Sequence, residues 1–169
     1  MSTPVNAARA FYLFLAFAVF LLDQASKAVV AQWLVQGETR RLIPGLFNLT
    51  HVHNRGAAFG LLANVTSSVV LILLVGFSVA ALVLVLSLLW RGPASRLAGW
   101  GLGLILGGAL GNLFDRLYAG SVVDFLDFHL GPYHWPAFNL ADSAIVVGAA
   151  VLMAEVLRSR RRMPREREV

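Results

Sequence analysis

Cysteine is absent from this chain of 169 residues. Its absence excludes disulfide bonds, thiol catalysis, cysteine-ligated zinc and lipid attachment at a cysteine. Charge is also scarce: only 14% of the residues are charged, whereas 58% are hydrophobic and the mean hydropathy is +0.72. These proportions lie outside the range of soluble globular domains. The composition therefore predicts an integral membrane protein.

Four apolar runs are long enough to cross a hydrocarbon layer about 30 Å thick, which takes about 20 helical residues. They cover approximately residues 10–32, 67–90, 97–117 and 138–157. No small-residue cleavage site follows the first run, so we expect it to be an uncleaved span. The chain is then one membrane domain, an all-α bundle of four transmembrane helices with long connections at residues 33–66 and 118–137.

The basic residues are unevenly placed along the chain. Arg91 and Arg96 fill the short second connection, and six arginines follow the fourth run: Arg158, Arg160, Arg161, Arg162, Arg165 and Arg167. The positive-inside rule places both segments and the N-terminus in the cytoplasm, which leaves the two long connections outside it. A basic tail at a membrane exit is typical of headgroup contact or topology, so we expect no nucleic-acid partner.

The first long connection contains a strand pattern, because Leu46–His53 alternates in part and is rich in strand formers. We expect a small extracytoplasmic β-sheet there. The apolar segment that follows, Asn54–Leu62, predicts an interfacial helix or lid. His51 and His53 would share a strand face, but no third ligand is in reach, so we interpret them as polar sheet residues and expect no metal.

Glycines at positions 99, 103, 107 and 111 share one face of the third run. Small residues at this spacing let membrane helices approach closely, which predicts tight packing of the third helix.

Two polar groups interrupt the apolar runs. Asp23 and Lys27 are four residues apart and form either a boundary ion pair or a site where Lys27 reaches a headgroup or substrate group. Asn112, Asp115 and Arg116 converge at the end of the third run. Arg116 can pair with Asp115 or can hold a nearby carboxylate or substrate carbonyl.

Asp124 and Asp142 lie at the borders of apolar runs on the same predicted side of the membrane. Asn139 and Asp142 have the spacing of a helix N-cap and its N3 residue. Asp127 competes with Asp124, and spacing does not choose between them. Two carboxylates that face each other share one proton, which supplies an acid and a base for the attack of water on a peptide carbonyl.

Other peptidase designs fit the sequence less well. The chain has no zinc-binding HExxH, no evident Ser-Lys or Ser-His arrangement, and no Gly-x-Gly-Asp of the presenilin type. Outside the peptidases, a proton-coupled transporter or channel also uses charged residues within the membrane, although its site usually lies near the midplane. A scaffold built on the glycine ladder would leave the polar residues without a task.

Taken together, the motifs resemble those of the lipoprotein signal peptidase family, also called type II signal peptidases. The matching segments are Asp23–Lys27, Asn54–Phe59, Gly107–Arg116, Val122–Phe125 and Phe138–Asp142, in the order and spacing of that family.

The resemblance implies a bacterial inner-membrane aspartic peptidase that cuts diacylglyceryl-modified prolipoproteins immediately before the lipidated cysteine. It implies Asp124 and Asp142 as the catalytic dyad, no cofactor, and competition by globomycin-like inhibitors. The matching positions that line or support the site are Asn54, Gly56, Gly108, Asn112, Arg116, Asn139, Ala141, Asp23, Lys27 and Asp115. We expect a monomer whose other partners are membrane lipids.

Overall fold

A computed structural model describes residues 4–56, 67–93, 95–131 and 133–162. The helices are α1 (Pro4–Trp33), α2 (Ser67–Arg91), α3 (Arg96–Ala119) and α4 (Leu140–Arg162). The strands are β1 (Thr39–Ile43), β2 (Phe47–Asn54), β3 (Val122–Leu130) and β4 (Tyr133–His134). All four helices are long and apolar enough to cross a membrane. The predicted fold class, four apolar helices with a small sheet, is confirmed.

Helix α3 is the centre of the bundle and contacts each of the other three helices. Within its apolar stretch 67% of the residues are buried, against 28%, 17% and 11% for α1, α2 and α4. The outer helices instead present large apolar side chains on their surfaces, as expected of segments solvated by lipid. The polar side chains at the C-terminal end of α3 are therefore enclosed by the other helices of the bundle.

The glycine ladder packs against α1, which confirms the predicted close approach. A methyl group on Gly99 would meet the ring of Tyr12, and one on Gly107 would meet the backbone of Ala16. Gly103 and Gly111 contact the same helix. A second set of glycines brings α3 against α4, because Gly101 lies on the carbonyl of Gly148.

The four strands form an antiparallel sheet in chain order, with β4 only two residues long. The predicted strand in the first connection is present as β2, and Gly45, with φ 77°, lies in the turn between β1 and β2. The long strand β3, from the second connection, was not predicted. A register shift between Leu49 and Val52 of β2 places Asp124 of β3 opposite Val52.

The sheet lies over one end of the bundle. Val30 and Leu34 of α1 pack with Phe125 of β3, and Leu140 at the start of α4 covers them. Helix α3 ends at Gly120, whose left-handed conformation (φ 68°) turns the chain directly into β3. These contacts hold Asp124 above the ends of α3 and α4. Beyond Gly56, the predicted interfacial lid lies outside the described residues.

Candidate active site

Asn139 joins the two aspartates of the predicted dyad. Its side-chain Nδ2 donates to Oδ1 of Asp124 at 2.7 Å, and its backbone N–H donates to Oδ2 of Asp142 at 3.3 Å. Asn139 is completely buried. Because one residue bonds to both carboxylates, Asp124 of β3 and Asp142 of α4 are held at a single site although they come from different elements.

Asp142 is held by the N-terminus of its own helix and by α3. The side-chain oxygen of Asn139 accepts a hydrogen bond from the Asp142 N–H at 2.9 Å, which confirms Asn139 as the N-cap, and with the bond from the Asn139 N–H the two residues cap each other reciprocally. Asn112 of α3 donates to Oδ1 of Asp142 at 2.7 Å. The Asp142 side chain is half-buried, which leaves it access to a substrate or to water.

Asp124 is buried and held at both carboxylate oxygens. Asn54, the last residue of β2, donates to Oδ2 of Asp124 at 2.9 Å. The other side of the Asn54 amide accepts the N–H of Gly56 at 2.8 Å. Gly56 has φ 91°, a conformation that favours glycine. The turn after β2 thereby fixes the orientation of the Asn54 amide towards Asp124.

The pKa of Asp124 is raised to about 6, mainly by burial and to a smaller extent by the nearby charge of Asp142. The hydrogen bonds from Asn54 and Asn139 act in the opposite direction, because they stabilise the ionised carboxylate. The environment of Asp124 thus suits a group that holds a proton in mildly acidic solution and releases it near neutrality.

A second polar cluster lies directly beside the dyad. Lys27 forms ion pairs with Asp23 at 2.7 Å and with Asp115 at 2.6 Å, and all three residues are buried. The lysine also donates to the side-chain oxygen of Asn112 at 3.3 Å. Because that oxygen faces Lys27, the Asn112 amide nitrogen is directed to Asp142. The predicted Asp23–Lys27 ion pair is present, but it is one part of a cluster between helices.

Helix α1 also caps the N-terminus of α4. Asp23 accepts a hydrogen bond from the backbone N–H of Ala141 at 2.9 Å, and Ala141 is completely buried. Close approach makes this contact possible, because a methyl group on Gly108 would collide with the carbonyl of Ala141, and one on Gly111 with the carboxylate of Asp23. These contacts fix the helix turn that carries Asp142.

Arg116 lies beside the dyad. Its guanidinium donates to the backbone carbonyl of Asn112 at 3.2 Å and is near enough to Asp142 and Asp124 to be attracted by both charges. Among the described residues the ion-pair partner of Asp115 is Lys27, so the interpretation of a local pair between Arg116 and Asp115 is wrong. The cation of Arg116 therefore remains available at the edge of the site.

The structure separates Asp127 from the dyad. Side chains three residues apart on a strand lie on opposite faces of the sheet, so Asp127 lies on the face opposite to that of Asp124. Asp127 accepts a hydrogen bond from Asn48 at 2.7 Å.

The two histidines of β2 bond within the sheet end of the molecule. His51 bonds to the carbonyl of Leu34 at 2.9 Å and to His53 at 3.2 Å. Within the described parts of the chain, no three side chains of metal-ligating type form a group that could hold an ion.

Sequence reasoning assigned no role to Gln24. Its amide nitrogen donates to Asp115 at 2.9 Å and to Asp23 at 3.2 Å, so it helps to hold the two acidic residues of the lysine cluster. The sequence signal that could have identified Gln24 is a polar amide side chain within an apolar run, directly after Asp23. All ten predicted supporting residues lie at this end of the bundle. Seven contact the dyad or belong to or contact the lysine cluster, and the other three, Gly56, Gly108 and Arg116, contact members of that seven.

The fold and the site together define a class: a four-helix membrane protein with a buried carboxylate site under a small sheet at one end. Comparisons with known proteins identify the family. The family model described as "Signal peptidase (SPase) II" matches residues 15–158. A lipoprotein signal peptidase of Paraburkholderia phymatum is 46% identical over 158 residues, which cover 94% of each chain. One from Solibacter usitatus is 44% identical over 144 residues, 85% of this chain and 88% of the relative.

Solved structures agree with these relatives. A bacterial membrane enzyme determined by the in meso method at 2.3 Å resolution superposes with a TM-score of 0.78 at 28% identity, covering 95% of this chain and 94% of the other. A second such enzyme, at 1.9 Å resolution, gives 0.76 at 27% identity, covering 88% and 93%. The chain belongs to the signal peptidase II family, a family of membrane proteases.

Proposed function

We propose that the chain is an aspartic endopeptidase of the bacterial inner membrane that removes the signal peptide from diacylglyceryl-modified prolipoproteins, cutting immediately before the lipidated cysteine. Family membership supports the removal of signal peptides from prolipoproteins. The observation that carries the aspartic mechanism is the bonding of both Asp124 and Asp142 to the buried Asn139.

In the proposed resting state Asp124 holds the proton and Asp142 is ionised. Burial favours the neutral form of Asp124, whereas Asp142 lies in the first turn of α4, where the helix dipole favours a negative charge. Two carboxylates so close together are expected to carry one proton between them.

Cleavage then follows a balanced exchange of protons. Asp142 takes a proton from water as the water oxygen bonds to the scissile carbonyl carbon, and Asp124 gives its proton to the carbonyl oxygen. Asp142 next gives its proton to the nitrogen of the leaving amine as the carbon–nitrogen bond breaks. A hydroxyl of the intermediate returns a proton to Asp124, and the dyad regains its starting state.

The neutral amides in the site keep both carboxylates fixed without neutralising them. Asn54, Asn112 and Asn139 each donate to one or both aspartates. The Arg116 guanidinium lies where it can attract a substrate carbonyl and thereby orient the scissile bond. Lys27, Asp23 and Asp115 support the turn and the amide on which Asp142 depends.

The depth of the site suits a lipid-anchored substrate. Asp124 follows the end of the α3 span at Ala119, and Asp142 lies in the first turn of the α4 span. Acyl chains in the membrane would hold the scissile bond at this level, so lipid binding energy would position the peptide. Arg9, Arg91, Arg96 and Arg158 lie at the other end of the bundle, which supports cytoplasmic termini and a dyad on the extracytoplasmic side. Since one chain supplies every site residue, a monomer is sufficient.

The decisive experiment compares the wild type with Asp124→Asn and Asp142→Asn on a purified diacylglyceryl-modified prolipoprotein in detergent. We expect each substitution to reduce cleavage at least about a thousandfold, because acid–base catalysis contributes factors of this order. Asp127→Asn is the matched control, since Asp127 bonds to Asn48 in the same sheet, and it should retain activity.

Thermal melting of every variant ensures that loss of activity is not loss of folding. An inactive wild type, or cleavage that survives either dyad substitution in a folded protein, would refute the proposed aspartic mechanism. Competition by globomycin-like inhibitors gives an independent check, because it should protect the substrate in the wild type.

A further inference from the structure

A cavity of about 360 Å³ opens at the end of the bundle opposite the dyad. It lies between the first turns of α1 and the turn that joins α2 to α3, and its polar lining comes from Arg9, Tyr12, Ser95 and Arg96. The apolar spans begin at Asn6 in α1 and at Arg96 in α3. The cavity is therefore at the level where the spans leave the hydrocarbon.

Arg9 is held in a fixed place at this cavity. Its terminal nitrogen donates to the backbone carbonyl of Trp90 in the last turn of α2, and its guanidinium lies 6.0 Å from the centre of the Trp90 ring. The Nε of Arg9 is buried and lacks a hydrogen-bond partner among the described residues. Buried side-chain donors usually have a hydrogen-bond partner, which can be protein, an ordered water or a bound ion.

Among the described residues, no carboxylate neutralises the positive charge at this cavity. The ion pairs formed among the described residues involve Lys27 and Arg40, and none includes Arg9, Arg91 or Arg96. The one described carboxylate near this end, Glu155, lines a different cavity on the α4 side of Pro93. The Arg9 cavity therefore carries two guanidinium groups and attracts an anion.

We propose that this cavity binds the phosphate group of an anionic phospholipid, with Arg9 and Arg96 as its ligands. A lipid phosphate lies at the same depth as the cavity, and a guanidinium binds phosphate through paired N–H donors. The buried Nε of Arg9 supplies a donor that the described residues leave unused. The bound lipid would join α1 to the turn between α2 and α3.

A topogenic role alone would account for the positive charges but not for their arrangement. The positive-inside rule counts arginines near span ends and does not require a cavity or an arginine fixed by a tryptophan. The two explanations differ in one measurable respect, because only a binding site gives saturable retention of a single lipid.

The test uses the full-length protein, purified in a neutral detergent and titrated with phosphatidylglycerol or phosphatidylcholine. Native mass spectrometry counts bound lipids, and thermal melting follows their effect on stability. We expect one phosphatidylglycerol per chain at saturation and an increase in melting temperature that phosphatidylcholine does not produce. Removing either Arg9 or Arg96 should weaken the binding of phosphatidylglycerol about fivefold, and removing both should weaken it further.

The variants are Arg96→Gln, Arg9→Gln and the pair together. Arg96 is exposed, so its substitution tests the site even if the change at Arg9 impairs folding. Arg40→Gln is the matched control, because it removes an exposed arginine at the sheet end of the molecule. Unchanged phosphatidylglycerol affinity in folded Arg96→Gln, or an equal loss in Arg40→Gln, would overturn the proposal. Inorganic phosphate distinguishes the source, since equal binding and stabilisation by free phosphate would reject a lipid ligand.

Discussion

Two pairs of aspartates lie at the same end of this bundle and differ in what holds them. Asp23 and Asp115 have the ammonium group of Lys27 between them, at 2.7 and 2.6 Å. Asp124 and Asp142 are held by the amides of asparagines. Asn112 contacts both pairs, with its oxygen towards Lys27 and its nitrogen towards Asp142.

The difference lies in charge, because a buried cation lies between the aspartates of the first pair and neutral side chains hold those of the second. Without Lys27 the carboxylates of Asp23 and Asp115 would be buried with no cation between them, so the first pair depends on the lysine for its stability. Neutral amides fix the position of a carboxylate without forming an ion pair with it, and in the proposed mechanism this leaves the second pair able to exchange a proton. The four substitutions below test this division between support and chemistry, from the largest expected effect to the smallest.

Substitution of Lys27 by Met should have the largest effect on stability. It leaves Asp23 and Asp115 buried without a cation, and breaking a buried ion pair in this way costs about 3–5 kcal/mol. Thermal unfolding in detergent measures the loss. Arg40→Met is the matched control, because the exposed pair of Arg40 with Glu38 should contribute less than about 1 kcal/mol. Equal melting temperatures for the two variants would contradict the supporting role of the lysine cluster.

Asn139→Ser should separate the positioning of the dyad from the capping of α4. Serine is also a good N-cap, so the helix start is retained, but the donor that reaches Asp124 and Asn112 is lost. We expect kcat to fall about a hundredfold, as misplacement of reacting groups typically does. Ser143→Ala, one turn further along α4, is the control. A folded Asn139→Ser variant with normal turnover would show that the two aspartates do not need their common partner.

The pH dependence of cleavage should reflect the pKa of Asp124, which burial raises to about 6. Because the proposed acid must carry its proton, kcat/KM should fall as the pH rises through about 6. The Asn54 amide stabilises the ionised form, so Asn54→Ala should move this fall to higher pH. Asn48→Ala removes the equivalent bond to Asp127 and should leave the profile in place. If wild type and Asn54→Ala show the same pH profile of kcat/KM, the group that titrates is not Asp124.

A pair of glycine substitutions gives the smallest effect and tests the packing under the site. Gly108→Ala forces a methyl group against the backbone carbonyl of Ala141, so α4 must move and stability should fall by about 1–3 kcal/mol. Gly76 of α2 has open space around it, and Gly76→Ala should be neutral or stabilise the helix by up to about 1 kcal/mol. If Gly108→Ala melts at or above the temperature of Gly76→Ala, contact between α3 and α4 does not position Asp142.

Several features could be predicted from local sequence because local physics determines them. Length and hydropathy predicted four helices, the four-residue glycine spacing predicted a packed face on α3, and the three-residue spacing of Asn139 and Asp142 predicted an N-cap and its N3 residue. Each of these depends only on the period of a helix or on the first helical turn. These local patterns can therefore be recognised in a segment without knowing what packs against it.

Other features depended on contacts between distant segments. Arg116 is the neighbour of Asp115 in sequence, yet Asp115 pairs with Lys27 of α1. Gln24 showed no role until α3 was placed beside it. Strand β3 was missed because its pairing with β2 comes from a connection that precedes it by two whole helices. Sequence spacing also left Asp124 and Asp127 equivalent, and the register with β2 separates them.

The sequence by itself determined that this chain enters a membrane, how many times it can cross, and which polar residues it carries to the ends of its spans. These properties follow from the cost of exposing apolar groups to water, which is a sum over residues. Only the tertiary structure decided which carboxylates receive a lysine and which receive asparagines. That assignment depends on the distances between helices and strands, because charge and burial over those distances set the electrostatic environment of each carboxylate.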